Sequence, residues 1–220
     1  PTISYNLDLI ANNCFKSFGL ISAGIFYKKF IAFIVDQVIG DYTYQNNEYK
    51  KITHPKNAGD ADLLGVELAY QRDFGFIAPA LKCIVFYGTY TYTHTQVNNF
   101  NFEGRENEKD LSLPGSPEHT ANASLYFEKK GFNVRFSYNY ASSFIAEMGE
   151  VAALDRYYDA VSYMDLNASY TFGKKIKTTF YADATNLLNQ PLRYYQGTKD
   201  RTMQAEYYGV KINAGVKVNF

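Results

Sequence analysis

Tryptophan is absent from this chain of 220 residues, and cysteine occurs only twice, at Cys14 and Cys83. Two lone cysteines without C-x-x-C spacing argue against a thiolate metal site or a dithiol redox motif. Histidine is nearly as scarce. His54, His94 and His119 show no H-x-x-x-H spacing and no carboxylate-rich neighbourhood, so they read as loop or rim residues and no metal site is expected. Net charge is missing too: Lys+Arg and Asp+Glu are 22 each. With no basic stripe interleaved with aromatics, nucleic-acid binding is set aside. No window holds ~18 consecutive apolar residues, which excludes a transmembrane helix. The longest apolar run is "FIAFIV" at 30–35. Nothing matches a nucleophile elbow or a catalytic triad motif, so no catalytic residue and no cofactor are expected.

What the chain has in excess is Tyr, at 21, and Phe, at 17. Such residues favour strands over helices. They fall in a period of two. At the end of the chain, Val210, Ile212, Ala214, Val216, Val218 and Phe220 alternate with Lys211, Asn213, Gly215, Lys217 and Asn219. The same alternation recurs in "FNVRFSYNY" at 132–140, "SYMDLNASYTF" at 162–172 and "KIKTTFYADA" at 175–184. Period two predicts strands with one apolar and one polar face. By that parity Arg135, Asp165, Lys177 and Asp183 point to the polar side. Strands are predicted near 3–14, 20–34, 61–74, 80–97, 117–128, 131–143, 159–172, 175–188 and 203–220, nine in all.

Several of these strands exceed the ~5–6 residues usual in soluble sheets and reach the ~9–11 needed to cross a membrane at a tilt. Connections alternate between tight turns at 17–19, 128–131 and 173–175 and long polar stretches at 36–60, 98–116, 143–157 and 189–202. That asymmetry belongs to outer-membrane barrels, with short periplasmic turns and long outer loops. Phe127, Phe172 and Phe220 sit toward the tight-turn end. Tyr90, Tyr92, Tyr138, Tyr140 and the pairs at 157–158, 194–195 and 207–208 sit toward the long-loop end. Two aromatic bands suit the two bilayer interfaces. The expected fold is all-β, an antiparallel transmembrane barrel. An odd strand count implies a portion of a larger barrel, since bacterial barrels are even-numbered. Cys14 and Cys83, three strand steps apart, should lie roughly 14 Å from each other and stay unbonded.

Read in order, "SYNLDL" (4–9), "GVELAYQRDF" (65–74), "LPGSPEHTANASLYFEKKGFNVRFSYNY" (113–140), "DLNASYTF" (165–172), "ADATNLLNQP" (182–191) and "YGVKINAGVKVNF" (208–220) resemble the C-terminal barrel of TonB-dependent outer-membrane receptors. The resemblance spans nearly the whole chain. It implies a 22-stranded barrel with a plugged lumen, of which residues 1–220 would be the C-terminal part. The plug and the earlier strands would lie outside this chain. It implies a bacterial outer membrane location and uptake of a scarce nutrient such as a ferric siderophore, with no enzymatic activity. The implied partners are outer-membrane lipid, a nutrient ligand at the extracellular rim, TonB, the plug domain and the outer-membrane assembly machinery. By the same resemblance Phe220 would be the insertion signal.

The residues themselves leave the ligand open. Two rim stretches, "ALDRYYDA" (153–160) and "LRYYQG" (192–197), join Arg to Tyr. Planar cations beside rings suit an anionic or sugar-like ligand, so Arg156, Tyr157, Arg193 and Tyr194 are the ligand-binding candidates, with loop packing as the competing reading. "GRENEKD" (104–110) reads as a solvated loop. Two other classes stay open: an outer-membrane barrel enzyme, which would need an even strand count and clustered catalytic residues, and a soluble β-sandwich carbohydrate-binding module, which would be monodisperse without detergent.

Overall fold

The computed structural model of the chain describes residues 1–15, 19–102, 105, 108 and 110–220, with the side chains of 37–39 and 51 left aside. The tight turn expected at 17–19 falls mostly outside the described residues, as do five positions of "GRENEKD" and its surroundings. Among the described residues the strands are β1 (Ile3–Phe15), β2 (Gly19–Tyr44), β3 (Asn47–Asp73), β4 (Ile84–Asn98), β5 (His119–Lys129), β6 (Phe132–Ala141), β7 (Phe144–Glu147), β8 (Arg156–Tyr158), β9 (Val161–Phe172), β10 (Lys177–Thr185), β11 (Leu192–Gln196), β12 (Thr202–Glu206) and β13 (Lys211–Asn219).

Nine of them form one antiparallel sheet in the order β1-β2-β3-β4-β5-β6-β9-β10-β13. They correspond to the nine strands expected from the alternation, except that the expected strand 203–220 is divided: only Lys211–Asn219 is in this sheet, and Thr202–Glu206 belongs to the second. The pairing explains why the pattern is so regular. Leu9 faces Ile25, which faces Val66, which faces Tyr92. Leu125 faces Phe136, which faces Leu166, then Ala184 and Ile212. In these two rows apolar residues meet across each strand step, and cross-strand pairs are what fix the register. The opposite face carries Tyr126, Arg135, Asn167, Asp183 and Asn213 in one row. Leu9, Val66, Ile212 and Val216 remain exposed. An exposed apolar face this extensive calls for a partner other than water.

The four short strands make a second sheet in the order β12-β11-β8-β7. β7 follows β6 after two residues, and β8 precedes β9 by two. The order β7, β8, β11, β12 therefore repeats that of β6, β9, β10, β13 above a break, and the rim sheet is an end-on continuation of the wall. It does not pack face to face on the wall as a sandwich would.

Three of the expected loops are corrected. The stretches 143–157 and 189–202 contain β7, β8 and β11, too short to show a periodicity. The stretch 36–60 is a hairpin rather than a loop. β2 and β3 pair from Leu20–Gln71 up to Tyr44–Asn47 and turn through Gln45 and Asn46, both at positive φ. That is the two-residue turn whose twist matches paired strands. β4 leaves β3 at Asp60, so the hairpin beyond Phe33 rises roughly 40 Å above its neighbours at ~3.3 Å per residue.

The tight turns hold at 130–131 and 173–176. Lys130 and Gly131 both have positive φ, and a Cβ at Gly131 would sit 2.2 Å from the Thr171 carbonyl oxygen. Residues 74–83 form two 3-10 turns instead of extending β4. Asp73 starts them by accepting from the Gly75 amide at 2.8 Å. Cys14 and Cys83 are free thiols.

The buried core lies at the long-loop end, not in the wall. After β4, Phe100 and Phe102 stack at 4.7 Å. They pack with Phe33, Ala61, Val97, Leu111, Ile145 and Met148.

Candidate functional site

A short motif joins wall to rim. In "NLLNQP" (186–191), Asn186 and Asn189 adopt positive φ, which Asn tolerates better than other side chains. The Asn186 side chain accepts from the Gln190 amide at 2.8 Å and donates to the carbonyls of Gln190 and Gly209. Its own amide donates to Asp165 at 2.9 Å. One side chain thus ties the β10–β11 corner to the start of β13, and Asp165 on the polar face closes the corner from β9.

The rim is clamped from below by Arg105, which is 1% exposed. Its Nη1 and Nη2 donate to the two Asp155 carboxylate oxygens at 2.6 and 2.9 Å. Nε and Nη2 donate to Glu108 at 2.8 and 2.7 Å, and Nη1 also reaches the Gly149 carbonyl at 2.8 Å. Asp155 accepts in addition from the Gly149 amide. Burial alone would lower the Arg105 pKa, but the bonds to Asp155 and Glu108 outweigh it and raise it further. The "GRENEKD" stretch is therefore not simply a solvated loop: its arginine is among the most buried side chains described. A paired, fully bonded charge is the form in which burial is tolerated.

On this clamp sit the four candidate residues. Successive strand residues point to opposite faces, so Arg156 does not stack on Tyr157, nor Arg193 on Tyr194. Arg156 instead lies 3.7 Å from the centre of the Tyr194 ring, across β8 and β11. Its Nη1 donates to Glu147 at 2.8 Å and its Nη2 to Gln204 at 3.1 Å. Its Nε is buried without an acceptor among the described residues. Arg193 lies 5.7 Å from the Tyr195 ring and pairs with Asp159 at 2.6 Å. It also donates to Thr202 and to the Lys199 carbonyl, fixing the β11–β12 turn. Tyr157 stacks on Tyr195 at 5.1 Å with planes 3° apart and packs against the buried core. The tyrosine pairs at 157–158 and 194–195 are thus rim packing rather than an interfacial band. The structure brings Arg156 and Tyr194 together and places Tyr157 and Arg193 in supporting contacts.

Arg156 also lines a cavity of about 250 Å³ with Lys50, Glu147, Glu150, Gln196 and Met203. The elongated hairpin forms its far wall, where Glu150 accepts from the Gly40 amide at 2.7 Å. Sequence reasoning missed Lys50 and Glu150, because a strand pair that long was not expected. The cavity offers a stacked cation, two carboxylates, an amide and a thioether. It suits a ligand bearing both acceptors and donors. Among the described residues no group of three His, Cys, Asp or Glu could hold a metal. The His119 ring nitrogen Nδ1 instead shares a 2.8 Å hydrogen bond with the Tyr90 hydroxyl.

Burial pushes the Tyr158 hydroxyl up to about 12, with a hydrogen bond to Tyr163 acting the same way. A raised folded value favours the neutral form. This contribution to rim stability is present below about pH 10 and is lost between about pH 10 and 12. An ultraviolet titration of tyrosinate should show a late step that includes Tyr158, and Tyr158→Phe should reduce its amplitude by one ring. If the variant and the wild type titrate identically, Tyr158 is not held this way.

The sequence model of the family described as TonB dependent receptor-like, beta-barrel matches residues 1–187. Comparison with curated protein sequences returns no match. Among solved structures, the chain is similar to the copper transporter OprC, at 14% identity and a TM-score of 0.67, covering 98% of this chain and 31% of that one. It is similar to the ferric citrate transporter FecA in its unliganded form, at 14% identity and a TM-score of 0.64, with coverage of 98% and 31%. It is also similar to the siderophore receptor PirA from Acinetobacter baumannii, at 16% identity and a TM-score of 0.61, with coverage of 100% and 32%. The chain spans about a third of the length of these structures. At such identities the likeness concerns the fold alone.

Proposed function

The chain belongs to the TonB-dependent receptor-like β-barrel family, and from that premise we propose that it supplies wall and outer rim to an outer-membrane receptor for a scarce nutrient such as a ferric siderophore. The observation that carries this reading is the nine-stranded wall, apolar on one face and polar on the other, topped by a rim sheet with its own cavity. In the intact receptor, the remaining strands would pair with β1 and β13, the two edges of the sheet. TonB and the plug would act through parts of the receptor outside this chain. Two of the similar structures are a ferric citrate transporter and a siderophore receptor, and a third is a copper transporter, which supports a metal or its chelate as the cargo. Arg156 on Tyr194 is the contact best placed to meet such a ligand, because this cation stacks on a ring and lines the rim cavity.

The test uses cells carrying the full-length receptor. Arg156→Ala with Tyr194→Ala should lower ferric-siderophore uptake by about five- to thirtyfold at unchanged receptor abundance, which corresponds to losing about 1–2 kcal/mol of ligand contact. Tyr157→Ala with Arg193→Ala should lower abundance instead, because those residues hold the rim together. Unchanged uptake in the first variant, together with a loss when Arg135 and Asp165 are changed, would place recognition deeper in the lumen and refute the rim assignment.

A further inference from the structure

The tight-turn edge carries a charge pattern that the uptake reading leaves unused. Lys129 and Lys130 occupy the β5–β6 turn, and Lys174 and Lys175 the β9–β10 turn; all four are exposed. The turns are side by side, because the Gly131 carbonyl accepts from the Thr171 amide at 2.8 Å. Lys82, also exposed, extends the row beneath β4. None of these lysines forms an ion pair among the described residues. Two nearby side-chain carboxylates are already engaged: Asp73 with the Gly75 amide, and Glu128 with the Tyr126 hydroxyl at 2.7 Å. With no formal net charge on the chain, this edge is a local excess of positive charge, whereas the other end carries both signs, with Asp41, Glu147 and Asp159 beside Lys50, Arg156 and Arg193.

Directly above the lysines, the apolar face carries a run of rings. Phe127 meets Phe132 at 6.0 Å, Phe132 meets Tyr170 at 6.5 Å, Tyr170 meets Phe172 at 5.9 Å, and Phe172 meets Phe180 at 5.9 Å. Rings over a row of ammonium groups match an acyl chain over a phosphate. Both turns depend on glycine: a Cβ at Gly131 or Gly173 would lie within 2.2 Å of a carbonyl oxygen.

We propose that this edge is a binding surface for anionic phospholipid, with Lys129, Lys130, Lys174 and Lys175 taking headgroup phosphates while the acyl chains lie on the ring ladder. Lysine suits this task as a compact point charge with a flexible stem that lets it reach the headgroup. Lipid specificity of this kind follows from charge near an anionic surface and fades with salt. The inference rests on the outer-membrane reading above.

The test is native mass spectrometry of the full-length receptor, released from nanodiscs of phosphatidylethanolamine containing phosphatidylglycerol and phosphatidylcholine in equal amounts. The wild type should retain phosphatidylglycerol over phosphatidylcholine by about tenfold. Changing the four lysines to Gln should bring the ratio to near one. Changing Lys199 and Arg201 to Gln, at the long-loop end, should leave it unaltered. The proposal is overturned if the wild type shows no preference, if the preference survives in the four-lysine variant, or if the distant variant loses it equally. Heat-modifiable migration is read on the same samples. A wild type that never inserts contradicts the outer-membrane reading, whereas insertion without lipid preference contradicts the lipid surface only.

Discussion

Asp155→Ala is expected to destabilise the rim by about 3–5 kcal/mol, the usual cost of removing one partner from a buried ion pair. Arg105 would keep its charge at 1% exposure and lose its bidentate partner. Glu108 would remain, but its side chain is 27% exposed and compensates less. The Gly149 amide would also lose its acceptor. Because the clamp joins Arg105 and Glu108, between β4 and β5, to the β7–β8 connection, damage should be confined to the rim. Protease sensitivity of those two segments should rise sharply, and hydrogen exchange at the Gly149 amide should accelerate, while the wall strands keep their protection. Replacing the pair together, Arg105→Met with Asp155→Leu, should recover much of the loss, since no charge is then left buried. A loss under about 1 kcal/mol for Asp155→Ala would mean that the clamp is not a fixed contact.

Val216→Arg is expected to impair insertion, by about 2–4 kcal/mol if Val216 meets lipid near mid-membrane. Val216 pairs with Phe180 on the apolar face. Its neighbour Lys217 pairs with Thr179 on the polar face, where charge remains hydrated. Lys217→Glu should therefore leave heat-modifiable folding near normal. Equal effects from the two substitutions would contradict the assignment of faces.

The wall was legible because its signal is local. Strands of nine or more residues repeat a period of two often enough to be read without knowing their partners, and the pairing then follows chain order. The rim was not legible for the same reason. β7 has four residues, β8 three and β11 five, too few to show any period. The tall hairpin was hidden by its polar composition, although Tyr42 opposite Tyr49 and Asn46 in the turn are strand-pair signals. The site was legible in part. Arg156 and Tyr194 could be singled out as a cation and a ring near the rim, but the pairing across β8 and β11 needed the fold. Strand parity alone could have shown that sequence neighbours do not stack. The Arg105–Asp155 clamp spans 50 positions, and nothing local in a run of charges distinguishes a buried arginine from a solvated one.

The most direct test of the membrane-wall account is a cysteine scan along β13, from Lys211 to Asn219, in the full-length receptor with Cys14 and Cys83 replaced by Ser. Each variant is labelled in intact outer membranes with a water-soluble thiol reagent and, separately, with a lipid-soluble one. The account predicts strict alternation: positions 211, 213, 215 and 217 react from water, and positions 212, 214, 216 and 218 react from the lipid phase. Uniform labelling of all positions from water would show that neither face meets lipid, and would contradict it.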